Sequence, residues 1–246
     1  LQDTSEEAEK PLREMAAAWA SHPALLVWEV PDEALWSCML DAFKTPGTLL
    51  EKIALFEKNA PPLSERMTAG YTRLKQLDPH HPVWMNHAAG NSFAHLAMFA
   101  RGADIIGCDI YPVMPYPIRP VDISRSALAS VGVCTTRMQS TAPGKPVWMV
   151  LQGAGWGDFE GIFTLQPRPG QQPSLEESRF MAYDAIVRGA RGVLYWGTHY
   201  IAKDSRFWKD LMTVARELAG HQALLTAPDA ALTPGIDAQM LDASPF

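Results

Sequence analysis

The sequence predicts an α/β protein in which helices wrap a parallel sheet. Five short apolar segments alternate with amphipathic helical patterns, and polar or aromatic side chains follow each apolar segment. Strands that are apolar on both faces are typical of parallel sheets. Right-handed crossovers place the carboxyl ends of all such strands on one face. Five units do not close an eight-stranded barrel, so we expect a partial (β/α)8 TIM barrel with about five βα units in this chain.

The composition predicts a single globular domain. The chain has 246 residues, 47% hydrophobic and 20% charged, and α/β barrels reach this length undivided. We therefore predict one partial barrel over residues 1–246, in which residues from about 220 to 246 form a carboxyl-terminal extension. The net charge of −6 argues against nucleic acid as a partner, because phosphate binding requires a basic face. No apolar stretch approaches the roughly 20 residues of a membrane-spanning helix, so we expect no membrane contact.

The predicted strands are short apolar runs rich in β-branched and aromatic residues. They span residues 24–30, 82–87, 103–111, 146–152 and 192–198. Apolar stripes at three- and four-residue spacing predict helices at residues 5–20, 49–58, 64–77, 93–101, 124–138, 174–188 and 205–218. Residues 34–43 are expected to form a mostly apolar connection. Proline lacks the helical N–H, so Pro61 and Pro62 should end the helix that begins near residue 49.

Two adjacent acidic residues follow the first predicted strand. Pro31 cannot continue a central strand, so Asp32 and Glu33 should lie just beyond its carboxyl end. In α/β barrels the catalytic groups come from this end of the strands. Asp32 would equally serve as the cap of an ordinary helix that begins at Glu33, and this stretch alone leaves both interpretations open.

Four segments resemble motifs of glycoside hydrolase TIM barrels of the clan A type, from about strand four to helix eight. Residues 28–33, Trp-Glu-Val-Pro-Asp-Glu, resemble the acid/base motif of strand four, and residues 103–112 are similar to the strand-six motif Asp-x-Tyr-Pro. Residues 145–148 resemble the start of strand seven, and residues 189–196 resemble strand eight. The resemblance implies a hydrolase that cleaves O-glycosidic bonds of an oligo- or polysaccharide.

Carried over by position, the resemblance makes Glu33 the general acid/base. Gln152 stands where strand seven of the clan presents the nucleophilic glutamate, and an amide cannot form a glycosyl ester. The second carboxyl group must therefore come from elsewhere, since Glu29 would lie about 13 Å from Glu33 along an extended strand. Asp109 is the first candidate, although it would serve equally well to bind loop amides or a sugar hydroxyl. Asp158 and Glu160 come next.

Two alternative functions remain open. Gln152 at the nucleophile position is compatible with a non-catalytic barrel that only binds carbohydrate. The adjacent pair Asp32 and Glu33 also resembles the pair of β-N-acetylhexosaminidases, in which the aspartate orients the acetamido group of the substrate as the nucleophile. In that case Gln152 or Tyr111 would hydrogen-bond the amide of the substrate.

Aromatic and polar side chains at strand ends and in loops are the candidates for sugar binding, because rings stack on sugar faces and polar groups bind hydroxyls. They are Trp28, His87, Tyr111, Gln152, Trp156, Trp196 and His199. Three widely spaced cysteines and isolated histidines make no metal signature, so we expect neither a metal nor a cofactor. The expected partners are a carbohydrate substrate and the missing strands, from an upstream segment or another chain. The resemblance alone favours a secreted or periplasmic location.

Overall fold

The structure, a computed structural model, describes residues 6–113, 128–159 and 172–227. These residues form a five-stranded parallel sheet whose strands lie side by side in sequence order. Helices cover one face of the sheet and build the main apolar core against it. The arrangement confirms the predicted α/β fold and the partial TIM barrel.

The strands are β1 (Trp28–Glu29), β2 (Val83–Ala88), β3 (Ile105–Asp109), β4 (Val147–Gln152) and β5 (Gly192–Trp196). The helices are α1 (Glu6–Trp19), α2 (Ala34–Lys44), α3 (Leu49–Leu77), α4 (Phe93–Phe99), α5 (Ser130–Thr141), α6 (Leu175–Val187), α7 (Arg206–Gly220) and α8 (Gln222–Leu225). Single 3-10 turns follow α4, β4 and β5 at Ala100–Gly102, Trp156–Asp158 and Thr198–Tyr200. Residues 124–127 of the predicted fifth helix and residues 228–246 of the predicted extension lie outside the described residues.

The prediction that Pro61 and Pro62 end a helix is wrong, because α3 continues through both prolines. Prolines in a helix interior cost about 3 kcal/mol each, so burial must offset them. Ala60 and Met67 on this helix are almost fully buried in the main core. Ser64 is also buried, and its hydroxyl donates a hydrogen bond of 3.0 Å to the carbonyl of Met98.

The segment expected to be a connection between residues 34 and 43 is the helix α2. Its buried residues Ala34, Leu35 and Ala42 lie on the side that packs against α3 and β2. The first strand is shorter than predicted, since only Trp28 and Glu29 pair with β2. The residues before β1 instead follow a turn, in which the N–H of Ala24 donates to Nδ1 of His22 at 3.1 Å.

The two faces of the sheet have different neighbours because side chains alternate along each strand. Met85, Ile106 and Met149 belong to the core between sheet and helices. A separate apolar cluster on the opposite face contains Trp84, Ile105 and Val150, with Val27, Trp148 and Leu194 packed against it. This face corresponds to the barrel interior.

A buried carboxylate fixes the amino end of β2. Asp78 is 2% exposed and accepts hydrogen bonds from Nε1 of Trp28 at 2.8 Å and from the backbone N–H groups of His80 and His81. Nδ1 of His81 lies 2.7 Å from the same carboxylate. Burial alone would raise the pKa of Asp78, but the hydrogen bonds from Trp28, His81 and His80 lower it to about 2.

We predict that Asp78→Ala lowers the free energy of unfolding by about 2 to 3 kcal/mol at pH 7, because buried donors lose a charged acceptor. Equilibrium urea unfolding measures this loss. The native pKa of about 2 lies below the usual value, so the contribution is complete above about pH 4 and disappears as the pH falls toward 2. Wild type and variant should therefore converge in acid.

The exposed residue Asp41, which pairs with Lys44 on the surface, provides a matched control. Asp41→Asn should leave the free energy of unfolding within about 0.5 kcal/mol of wild type. Equal stability of Asp78→Ala and wild type at pH 7 would contradict the structural role of the buried carboxylate.

Candidate active site

Two carboxyl groups from different strands meet beyond the carboxyl ends of β1 and β3. Glu33 follows β1, Asp109 ends β3, and their side chains lie within hydrogen-bonding reach of each other. Asp109 sits on the interior face of its strand, two positions after Gly107 and four after Ile105. The parallel topology thus brings together two acids that are distant in sequence.

The backbone of Glu33 has an unusual conformation. Its φ of 44° and ψ of 37° lie in the left-handed region. No other non-glycine residue among the described residues has a positive φ. Such a conformation costs an L-residue about 1 kcal/mol or more and is concentrated at functional sites. Glu33 directly precedes α2, whose first residues Ala34 and Leu35 are buried. The bend between strand and helix therefore leaves the carboxyl group of Glu33 at the rim of the sheet.

The contact changes the protonation of Glu33. Burial, the charge of Asp109, the hydrogen bond with Asp109 and the charge of Asp32 together raise the pKa of Glu33 to about 8. Burial also raises the pKa of Asp109, while the nearby Glu33 carboxyl group, the backbone N–H of Asp109 and the Tyr111 hydroxyl act in the opposite direction. The donors around Asp109 stabilise its ionised form, so the proton of the pair belongs on Glu33 at neutral pH.

Tyr111 links the carboxyl pair to a group of aromatic rings. Its hydroxyl lies beside Asp109, and burial together with the charge of that carboxylate raises the pKa of Tyr111, which keeps the phenol protonated. Its ring stacks on Trp196 with centroids 5.4 Å apart and an interplanar angle of 21°. One residue therefore contacts both the acidic and the aromatic part of the site.

We call the surrounding rings the aromatic wall. It consists of Tyr111, Trp156, Phe159, Trp196, His199 and Tyr200. Phe159 lies at its centre, with ring centroids 5.1 Å from both Trp196 and Tyr200. Trp196 and Tyr200 are 36% and 37% exposed, so the wall presents ring surface to solvent. Exposed aromatic faces of this kind suit stacking against apolar faces of a ligand.

Glycines allow the loops after β4 and β5 to approach closely. A Cβ on Gly153 would lie 2.5 Å from the carbonyl oxygen of Trp196, and the N–H of Gly153 donates to that oxygen at 2.8 Å. Gly197 has φ +89°, and a Cβ there would lie 2.8 Å from that of Ala154. This packing fixes Trp196 at the end of its strand.

The side chain of Gln152 is fully engaged with the backbone of one residue. Its Oε1 accepts from the N–H of Val113 at 2.9 Å, and its Nε2 donates to the carbonyl of Val113 at 2.9 Å. Gln152 is 2% exposed. The amide expected to bind substrate is therefore occupied within the protein.

Asp32 is held by a residue that the sequence patterns did not single out. Its Oδ1 accepts a hydrogen bond of 2.9 Å from Nδ2 of Asn86 on β2. Asn86 shares the interior face with Trp84. The sequence signal that could have identified Asn86 is a polar residue at an interior-facing position of an apolar strand.

Burial and the charge of Asp32 raise the pKa of Glu29. Asp32 and Glu29 border a groove of about 480 Å³ that is also lined by Pro11, Leu12, Met15, Val30 and Pro31.

Trp28 and His87, expected as sugar-binding residues, lie outside this cluster. Trp28 is buried in the main core and donates to Asp78 at the opposite end of the sheet. His87 is 1% exposed and meets Phe99 of α4 edge to face at 6.3 Å, on the helical side. Burial lowers its pKa to about 4, so His87 is neutral at pH 7. Strand alternation turns both side chains away from the barrel interior.

The other acidic candidates are not brought to the pair. Asp158 accepts from the N–H of Gly155 at 2.7 Å and from Nε2 of Gln172, so it holds its own loop together. Glu160 lies outside the described residues. Within residues 6–113, 128–159 and 172–227, no group of three or more His, Cys, Asp or Glu side chains is arranged to hold a metal ion. The helices of this part of the chain include none with the length and hydropathy of a membrane span.

No protein-family model and no curated protein matches the chain. Solved structures do match. The chain resembles a β-galactosidase from the Antarctic haloarchaeon Halorubrum lacusprofundi, with TM-score 0.62 and 15% identity over 87% of this chain and 41% of that protein. The β-galactosidase from Bacillus circulans sp. alkalophilus gives TM-score 0.60 and 14% identity over 89% and 40% of the two chains. An endo-β-1,4-mannanase from Thermotoga petrophila gives TM-score 0.53 and 13% identity over 89% and 51%.

The chain thus spans roughly half or less of the length of each of these proteins. The TM-scores establish a shared fold, whereas identities of 13% to 15% leave the chemistry to the residues of the site. Together with the five parallel strands, these matches show that the described residues have the fold of part of a TIM barrel.

Proposed function

We propose that this chain is part of a glycoside hydrolase that cleaves O-glycosidic bonds of an oligo- or polysaccharide, with Glu33 as the general acid/base. The observation that carries the proposal is the contact between Glu33 and Asp109 beside an exposed aromatic wall. A carboxyl group with a pKa of about 8 keeps its proton at neutral pH. It can therefore donate that proton to the leaving glycosidic oxygen, a step worth about 10²- to 10⁴-fold in rate.

We propose Asp109 as the second catalytic carboxyl group. Inverting enzymes separate their carboxyl groups by about 6.5 to 9.5 Å to admit a water, whereas retaining enzymes use about 5 to 5.5 Å. Two groups within hydrogen-bonding reach fit the shorter spacing better. In this mechanism Asp109 attacks the anomeric carbon while Glu33 protonates the leaving oxygen. Glu33 then takes a proton from the water that hydrolyses the glycosyl ester.

The aromatic wall would bind the sugar. Trp196 and Tyr200 expose ring surface next to Tyr111, which contacts the carboxyl pair. The C–H face of a pyranose packs on such rings and keeps its hydroxyl groups free for hydrogen bonds. Asp32, held by Asn86, offers an acceptor next to Glu33.

We propose that further strands, from an upstream segment or another chain, complete the barrel. Among the described strands, β1 and β5 each have one neighbour, so each leaves an edge without a partner. All residues of β5 are partly exposed, whereas every residue of β2 is buried. Val27 and Leu194 on the interior face are likewise only partly buried. Unpaired edges and an uncovered apolar face are what the missing barrel strands would cover.

Two alternatives have specific support. The engaged amide of Gln152 leaves the nucleophile position of the clan without a carboxylate, which favours a barrel that binds carbohydrate without cleaving it. Asp32 adjoins Glu33 and is oriented by Asn86, which favours a substrate-assisted mechanism on N-acetylhexosaminides. A panel of glycoside substrates distinguishes the hydrolase, the carbohydrate-binding barrel and the substrate-assisted enzyme.

We predict that Glu33→Gln reduces kcat/KM of the complete protein at least 100-fold, because the amide cannot transfer a proton. Hydrolysis should be measured on a panel of aryl glycosides and oligosaccharides, with binding followed by calorimetry. Binding should survive, since the amide conserves the shape of the side chain. The matched control Glu14→Gln alters an exposed glutamate on α1 and should have wild-type activity.

A wild-type protein that binds glycans but hydrolyses none would overturn the hydrolase proposal in favour of the binding barrel. Hydrolysis confined to N-acetylhexosaminides, with Asp32→Asn inactive and Asp109→Asn active, would favour the substrate-assisted mechanism.

We predict that kcat/KM falls above about pH 8, where Glu33 loses the proton that it donates. The charge of Asp109 raises the pKa of Glu33, so Asp109→Asn should lower it. Carboxyl-carbon NMR of the protein measures both titrations directly and does not require turnover. A Glu33 signal that titrates near the ordinary value of about 4.3 would contradict the buried pair.

We predict that Trp196→Ala weakens glycan binding about 10-fold, because the apolar area that the indole would bury against a sugar is lost, and about 1.4 kcal/mol of binding free energy is tenfold in affinity. Trp19 on α1 is 50% exposed and far along the chain from the wall, so Trp19→Ala is the matched control. Equal affinity of Trp196→Ala and Trp19→Ala in calorimetry would remove the aromatic wall from the proposed site.

A further inference from the structure

We propose that Gln152 is a positioning residue, which holds Tyr111 against Asp109 by binding both polar groups of the Val113 backbone. We call the two hydrogen bonds between Gln152 and Val113 the clamp. The effect of the clamp on catalysis rests on the proposed function, whereas the clamp itself can be tested without turnover. In this role the side chain at position 152 must be an amide, and a glutamate there would harm the site.

The need for a clamp follows from the sequence of β3 and the residues after it. Strand pairing continues as far as Ile110, whose N–H donates to the carbonyl of Val150 at 3.0 Å. In this parallel register alternate residues of the strand donate, so the next donor would be residue 112. That residue is proline and has no N–H. At the following residue, two hydrogen bonds between the Gln152 side chain and the Val113 backbone replace the missing strand hydrogen bond.

An amide is the group that satisfies both polar atoms of Val113. Its oxygen accepts the N–H at 2.9 Å, and its nitrogen donates to the carbonyl at 2.9 Å. An ionised glutamate at position 152 could still accept the N–H, but its second oxygen would face the carbonyl, and two acceptors repel, so the side chain would have to bind a proton to replace the amide. Because Gln152 is 2% exposed, water cannot relieve that contact.

The clamp acts on the site through Tyr111, two residues before Val113. The Tyr111 ring stacks on Trp196 and its hydroxyl lies beside Asp109, so a displaced loop would loosen both contacts. The titratable groups facing the Tyr111 hydroxyl are Asp109, Glu33 and Asp32. Loss of this donor would weaken the stabilisation of ionised Asp109 and hence raise the pKa of Asp109.

The experiment compares Gln152→Ala, Gln152→Glu, Tyr111→Phe and the double variant Tyr111→Phe/Gln152→Ala. We expect the amide of Val113 to exchange its hydrogen at least 10-fold faster in Gln152→Ala. The carboxyl signal of Asp109 should shift to a higher pKa in Gln152→Ala and in Tyr111→Phe. The double variant should show no larger shift than Tyr111→Phe alone, because both changes weaken the same interaction between the Tyr111 hydroxyl and Asp109.

Gln139→Ala provides the matched control, since Gln139 also donates from Nε2 to a backbone carbonyl, that of Gly189, at 3.2 Å. It should change neither the exchange at Val113 nor the titration of Asp109. Unchanged titration of Asp109 in Gln152→Ala would overturn the positioning role, even if the variant were less stable.

Measurements of hydrolysis test the catalytic consequence of the clamp separately. If the wild type hydrolyses glycosides, Gln152→Glu should lower kcat/KM at least 10-fold, whereas a gain in activity would show a lost nucleophile and overturn the proposal. If the wild type hydrolyses none, the proposed function fails. The exchange at Val113 and the titration of Asp109 then still decide whether Gln152 positions Tyr111.

Discussion

Two carboxyl groups can share a buried contact only if they hold a proton between them. Two negative charges at that distance would repel strongly in surroundings that water does not fully screen. The contact between Glu33 and Asp109 therefore requires that one of the two groups keeps a proton. The neighbouring backbone sets the positions of both side chains. The left-handed conformation of Glu33 turns its side chain toward the rim, and the end of β3 supplies Asp109. Tyr111 stabilises the ionised partner, which leaves the proton on Glu33.

Strand alternation decides which side chains can join this pair. Neighbouring residues of a strand face opposite sides, so Asn86 faces the interior and binds Asp32 while His87 faces Phe99 and the helices. Both are polar residues near the end of the same strand. Their different roles follow from their adjacent positions, which face opposite sides of the sheet. A pattern that only locates the end of a strand does not distinguish these two positions.

Much of the fold could be predicted from the sequence, because the alternation of apolar strands and helices is a local signal repeated five times. The same signal placed Glu33, Asp109, Tyr111 and Trp196 at strand ends, and the structure brings these residues together. The continuous helix through Pro61 could not be predicted, since burial of its face offsets a local preference. The pairing of Gln152 with Val113 and the hydrogen bond of Trp28 to Asp78 join distant segments and leave no local pattern.

The proposed site has two unlike sides, and their order along the sheet would orient a bound sugar. The acidic side, with Asp32 and Glu33, follows β1, while Trp196 ends β5 and the aromatic wall surrounds it. Asp109 and Tyr111 lie between them at the end of β3 and contact both sides. A sugar stacked on Trp196 would therefore reach toward the proton of Glu33 across β3. Strands added at the free edges of β1 and β5 would close this path into a ring, with Glu33 and the aromatic wall on opposite sides of the same opening.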